Sequence, residues 1–157
     1  MRIGQGIDVH RFSTDESRPL QLGLIHIPGF VGLAGHSDAD VATHALCDAL
    51  LGAANLGDLG RHFPDTDPAI ANIASSELLS EIVKMVRSAG FSVESADVTI
   101  IAERPKLAPF MPEMSQALSN VVGCTVSVKA TTAEGLGALG RVEGIGAISV
   151  ALLKEES

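Results

Sequence analysis

Tryptophan and tyrosine are absent from this 157-residue chain, and five phenylalanines leave aromatics at only 3%. Leu, Ile, Val and Ala must therefore fill the core, and little aromatic surface remains on which bases or sugars could stack. Positive charge is scarce as well. Eleven Lys and Arg against 19 Asp and Glu leave a formal net charge of −8, which excludes a chain built to coat a phosphate backbone, so no nucleic-acid partner is expected. The two cysteines, Cys47 and Cys124, have no metal or redox spacing and read as small buried residues of a cytoplasmic protein. A long apolar run is missing too. The longest uncharged stretch, Pro19 to Ser37, is interrupted by Gln21, two prolines, four glycines and two histidines, so no membrane span is expected. No cationic segment leading into an apolar one opens the sequence, so no signal peptide is visible and the expected location is the cytoplasm.

Hydrophobic residues are plentiful at 46%, against 19% charged, enough for a real core and too many for disorder. The mean hydropathy of +0.30, with no membrane span to use it, points to apolar burial between subunits. The length suits one domain over residues 1–157.

Residues Arg2 to His10 alternate as a strand, with Ile3, Ile7 and Val9 on one face and Gly4, Gly6, Asp8 and His10 on the other. Leu20 to Ile27 reads as a hairpin closed before Pro28-Gly29. Ser37 or Asp38 can cap a helix reaching Ala54, with Val41, Ala45, Leu46, Ala49, Leu50 and Ala53 as its apolar stripe. Asp58 to Pro68 reads as a loop. A second helix opens at Ser75 or Ser76, turns Leu78, Leu79, Ile82, Val83 and Val86 inward, and stops at Gly90. Val98 to Ala102 is a short strand, Pro112 opens a third helix ending at Gly123, and Thr125 to Thr132 alternates again. Ile145 to Leu153, apolar on both faces, predicts a central, fully buried strand. The expected fold is α+β (mixed α/β): a mixed sheet packed on one side by about three helices.

Asp8 and His10 share a strand face about 6–7 Å apart along the backbone, close enough to grip one cation. A carboxylate and an imidazole both suit zinc, and Gly4 and Gly6 clear side chains from that face. Downstream, His36-Ser37-Asp38-Ala39-Asp40 leads into His44. A capped helix start explains the serine and aspartates but not two histidines in nine residues. His44 can pair outward with Asp40 one turn earlier, or complete a metal set with Asp8 and His10. Free N–H groups at that helix start would also suit a phosphate. Lys129-Ala130-Thr131-Thr132-Ala133-Glu134-Gly135 delivers a cation, hydroxyls and a carboxylate to one glycine-containing end, the parts for phosphate oxygens and a hard metal. Ala102-Glu103-Arg104-Pro105-Lys106 is a strand-to-loop turn that can present backbone groups to a ligand.

Taken in order, these segments, together with Gly57-Asp58-Leu59-Gly60, Phe63-Pro64-Asp65-Thr66-Asp67-Pro68 and Gly140-Arg141 with Glu143-Gly144, span nearly the whole chain. In that order the sequence resembles the 2-C-methyl-D-erythritol 2,4-cyclodiphosphate synthases of the non-mevalonate isoprenoid pathway. The resemblance implies a homotrimer with active sites between subunits. It implies closure of 4-diphosphocytidyl-2-C-methyl-D-erythritol 2-phosphate, a small-molecule CDP substrate, into a cyclic diphosphate with release of CMP. By position, Asp8, His10 and His44 would hold Zn²⁺, and Glu134 would reach Mg²⁺ or Mn²⁺ bridging the phosphates. His36, Ser37 and Thr132 would contact the reacting phosphates, His36 and Thr132 as the catalytic pair, with Ala133 and Val9 among the further substrate contacts. Asp58, Leu59, Gly60, Phe63, Pro64, Asp65, Thr66 and Asp67 would hold the erythritol part. Ala102, Glu103, Arg104, Pro105, Lys106, Leu107 and Ala108, with Thr131, would frame the cytidine, and Ala138 and Arg141 complete the substrate contacts. Ile7 and Ala138 stand where the family commonly has aromatics, and Val142 where it usually has glycine. A zinc-dependent phosphohydrolase and a non-catalytic nucleotide-binding trimer are the alternatives, separated by whether phosphate, CMP or nothing is released.

Overall fold

Eleven elements follow one another in the computed structural model, which describes residues 1–64, 66, 68 and 73–156. They are β1 (Arg2–Arg11), β2 (Pro19–Leu22), β3 (Ile25–Val31), α1 (Val41–Ala53), α2 (Leu59–His62), α3 (Ser75–Ser88), β4 (Phe91–Ile101), α4 (Met111–Val122), β5 (Val126–Thr131), α5 (Gly137–Gly140) and β6 (Gly144–Glu155). The main sheet has the order β1-β6-β4-β5. Its β1–β6 and β6–β4 pairs are antiparallel and its β4–β5 pair is parallel. A parallel neighbour requires a crossover, and α4 supplies it. The mixed α+β architecture therefore stands as expected, with α1 lying across β1, β6 and β4, α3 beside it and α4 beside α3.

Helix α1 is apolar nearly all round. Its buried residues include the expected stripe and also Ala42, Cys47 and Leu51, because it is wedged between the sheet and α3. It starts later than the cap signals suggested. Asp40 is the cap, its carboxylate accepting from the Thr43 amide at 3.1 Å, while Ser37 and Asp38 are used elsewhere. Helix α3 buries the five expected residues, each contributing about 1.5–3 kcal/mol of apolar burial.

Two further boundaries differ from expectation, each for a local reason. The hairpin turns at Gly23-Leu24, and β3 runs through Pro28-Gly29 because pairing skips from Pro19↔Val31 to Leu20↔Ile27, so Pro28 owes the ladder no donor. Strand β4 begins at Phe91 rather than Val98. A register shift between Val93 and Ser95 breaks the alternation that would have revealed its first half. Short helices α2 and α5 form inside the two stretches read as loops.

Strand β6 is central, but only one of its faces is covered. Its outward residues Ile148, Val150 and Leu152 lie in register with Ile7, Gln5 and Ile3 of β1, and Ile3, Ile7 and Val9 are 72%, 56% and 57% exposed. The expectation of a fully buried strand fails in the single chain. An apolar strip runs instead along the sheet face away from the helices.

Candidate active site

Two glycines bring the first site together. Gly4 and Gly6 face α1 on the same side of β1 as Asp8 and His10, and a Cβ on Gly6 would sit 2.0 Å from the Ala45 carbonyl oxygen. Helix α1 therefore lies directly against the strand, and His44, the neighbour of Ala45, meets Asp8. The Asp8 Oδ2 atom is 3.0 Å from His44 Nδ1 and 3.2 Å from His10 Nε2. The ligand atoms of Asp8, His10 and His44 all fall within 4.8 Å of one another. His44 is thus turned to Asp8, and Asp40 is occupied by the amides of Gly23 and Leu24 and by Thr43.

The remaining atoms of these side chains are engaged so as to hold them there. Asp8 Oδ1 accepts from the Val9 amide at 2.9 Å. His10 Nδ1 donates to the Ala34 carbonyl at 2.5 Å, and His44 Nε2 lies 3.1 Å from Ser75 Oγ and 3.3 Å from Ser37 Oγ. A carboxylate oxygen and ring nitrogens at these distances need a positive charge between them, a proton or a metal ion. Burial pushes the Asp8 carboxyl up, but hydrogen bonds and charge from His10 and His44 outweigh it and hold it well below the usual range. His10 is pushed above its ordinary value, chiefly by its hydrogen bond to Asp8. One carboxylate and two imidazoles, each ring anchored through its far nitrogen, fit a divalent cation with an open position.

Beside this cluster lies a cavity of about 220 Å³ lined by His10, His36, Ser37, His44, Leu59 and Phe63, among others. Asp58 caps α2, accepting from the Arg61 amide at 2.9 Å, and the Leu59 amide donates to Asp48 at 2.7 Å, which fixes Leu59 in the wall. Gly60 lies on α2, and Pro64 and Thr66 are exposed. Asp65 and Asp67 lie outside the described residues.

A second cleft, of about 290 Å³, opens where β4 and β5 end. Ala102, Glu103, Pro105, Lys106, Leu107, Ala108, Thr131 and Thr132 line it, most of the set predicted to frame cytidine, while Arg104 is exposed. The Glu103 carboxylate accepts from the Ala133 and Gly135 amides at 2.9 and 3.2 Å, so it shapes the loop carrying Thr132 and Glu134. Thr132 Oγ1 donates to Glu134 Oε1 at 2.9 Å. Lys129 does not join them, because it is paired with Asp97 on the exposed sheet face.

Within one chain the two sites stand apart. Strands β1 and β5 are the opposite edges of the sheet, separated by three spacings of about 4.8 Å, roughly 14 Å. Glu134 is accordingly outside the Asp8–His10–His44 group. Val9 turns its side chain to the face opposite Asp8. Ala138 lines a third hollow with Val9, His10, Leu139 and Glu143, and Arg141 pairs with Glu143 at 2.7 Å. Val142 adopts φ 62°, a left-handed conformation that favours glycine, the residue the resemblance expects there. Sequence reasoning missed Ser75 and the use made of Asp38. Both looked like ordinary helix caps, and only the fold brings them to His44.

Comparison with known proteins matches residues 1–154 to the YgbB family. A protein of Syntrophobacter fumaroxidans named 2-C-methyl-D-erythritol 2,4-cyclodiphosphate synthase is 50% identical over 159 residues, 99% of each chain. A solved 2C-methyl-D-erythritol-2,4-cyclodiphosphate synthase in its CDP-bound form superposes with a TM-score of 0.88 at 39% identity, over 98% of this chain and 100% of that one. The CDP complex of a Plasmodium falciparum relative superposes at 0.85 with 29% identity, over 99% and 97% of the two chains.

Proposed function

This chain belongs to the YgbB family, and from that membership we propose that it converts 4-diphosphocytidyl-2-C-methyl-D-erythritol 2-phosphate into 2-C-methyl-D-erythritol 2,4-cyclodiphosphate and CMP. It is a phosphorus–oxygen lyase. The observation that carries the reading is the convergence of Asp8, His10 and His44 on one point beside a cavity of about 220 Å³.

The 2-phosphate oxygen attacks the β-phosphorus, and the bond from that phosphorus to its bridging oxygen breaks, CMP leaving with the oxygen. Nucleophile and electrophile belong to one molecule, so holding it bent lowers the barrier by up to ~7–11 kcal/mol. The obstacle is charge, since the substrate is a polyanion and the chain itself carries −8. Asp8, His10 and His44 would hold zinc and Glu134 magnesium or manganese, and cations so held would supply the charge that offsets the diphosphate and the departing oxygen. His36 donates to the phosphates, and the Thr132 hydroxyl turns from Glu134 to do the same. Leu59 and Phe63 give the first cavity an apolar wall that keeps water off the β-phosphorus, and the cleft beyond Ala102 takes the cytidine. No general base is required, because a phosphate nucleophile is already ionised.

The two half-sites at opposite sheet edges support a homotrimer in which Thr132 and Glu134 of one chain approach Asp8 and His44 of the next, with the apolar β1–β6 strip buried along the contact. Incubation with the CDP substrate and Mg²⁺ in ¹⁸O-labelled water is expected to release CMP and cyclic diphosphate in equal amounts with no label incorporated. Inorganic phosphate carrying label would instead identify a phosphohydrolase, and no turnover a binding protein. The shared site is checked by mixing inactive His44→Ala and Thr132→Ala chains. Random reassembly should restore activity in about a quarter of the sites, whereas a site built within one chain would restore none.

A further inference from the structure

We infer that Ser75 and Asp38 are positioning residues of the metal centre. Through one hydroxyl they fix which nitrogen of His44 is presented to Asp8, and so how tightly the cation is held. The inference rests on the metal reading above and adds to it two residues that touch neither substrate nor cation.

The argument is one of hydrogen-bond direction. Ser75 is fully buried at the first turn of α3. Its Oγ makes a short contact with Asp38 Oδ1, and its amide donates to Asp38 Oδ2 at 2.8 Å. An ionised carboxylate can only accept, so the single hydroxyl proton of Ser75 goes to Asp38. The Ser75 oxygen then has only lone pairs left for His44 Nε2, 3.1 Å away, so Nε2 must carry the ring proton and donate. That leaves Nδ1, 3.0 Å from Asp8 Oδ2, as the nitrogen available to a cation.

Asp38 is itself held in place. It accepts from the Asp40 amide at 3.3 Å, and it stands at the positive end of α3 where Ala74 offers no capping side chain. The chain Asp38–Ser75–His44 therefore ties the start of α3 to the metal ligand on α1. Ser37 Oγ also reaches His44 Nε2, at the longer distance of 3.3 Å, and already accepts from the Ala39 amide.

Ser75→Ala separates this role from a structural one, because the Ser75 amide and its bond to Asp38 survive while only the hydroxyl link is lost. The full chain, stripped with a chelator and titrated with Zn²⁺ against a chromophoric competitor, should bind about 10–100-fold more weakly in Ser75→Ala. The metal-free melting temperature should be little changed. Asp38→Asn should show a loss in the same direction, since its side-chain NH₂ then meets a donor, either the Ser75 amide or, if flipped, the hydroxyl it would turn toward His44. In ¹⁵N spectra of the metal-free chain, His44 Nε2 should carry a slowly exchanging proton in the parent and lose that protection in Ser75→Ala. Unchanged Zn²⁺ affinity or unchanged protection of the Nε2 proton in Ser75→Ala overturns the inference. A parent chain that fails to bind Zn²⁺ overturns the metal reading instead, and the Nε2 proton still decides the role of Ser75.

Discussion

His44→Ala is expected to leave a folded chain that has lost its zinc and nearly all its turnover. The substitution removes one of three ligand atoms gathered within 4.8 Å, and the pair that remains, Asp8 and His10, is one ligand short of the three that open zinc sites use. A cation facing a reacting diphosphate supplies several kcal/mol of transition-state stabilisation, so its loss slows CMP release by about 10³-fold or more. The fold should survive, because alanine is the best helix former and α1 is held by apolar contacts along its whole length. The cost is the loss of the buried hydrogen bond between His44 and Ser75 and of the contact with Asp8, about 1–3 kcal/mol each. Zinc content after dialysis, the far-ultraviolet circular dichroism spectrum and the rate of CMP release check the three parts separately. A variant that keeps full zinc and full rate removes the Asp–His–His set from the mechanism.

How much of this was legible before the fold was seen differs from residue to residue. Asp8 and His10 stood out because strand alternation places them on one face, and Gly4 and Gly6 marked that face as the one another element approaches. His44 lies 34 residues beyond His10, so no local period connects them, and the residues alone left it free to pair with Asp40. The start of α1 was misread because Ser37, Asp38 and Asp40 are all good caps. Which of them serves is decided by Ser75, 37 residues from Asp38, and by the Gly23–Leu24 turn that claims Asp40. Helices α2 and α5 are single turns, too short for a 3.6-residue period to register. The division of the chemistry between β1 and β5 could not be read locally either, since strand order depends on pairing between distant segments.

Gly6→Ala is expected to do more damage than any other single methyl added to this chain's metal site. The new Cβ would lie 2.0 Å from the Ala45 carbonyl oxygen, 2.7 Å from the Ala49 amide nitrogen and 2.9 Å from Asp48 Cβ. The first two are backbone atoms of α1, so no side-chain rotation relieves them, and the helix must back away from β1 by about 1 Å or more. Overpacking of this kind costs about 1–3 kcal/mol, and a chain of this length should melt some 2–4 °C lower for each. The functional loss should be larger than the stability loss. His44 travels with Ala45 while Asp8, two residues from Gly6, stays on the strand, and a 1 Å misplacement of a reacting constellation costs on the order of 10²-fold. Gly52→Ala is the control on the same helix. Its Cβ would meet only the Gln5 carbonyl oxygen, at 3.8 Å, so the better helix former should gain about 0.5–1 kcal/mol and leave zinc binding intact. If Gly6→Ala binds zinc and turns over as Gly52→Ala does, then the close approach of α1 to β1 is not what aligns His44 with Asp8, and the account of how this sequence assembles its metal site fails at its first step.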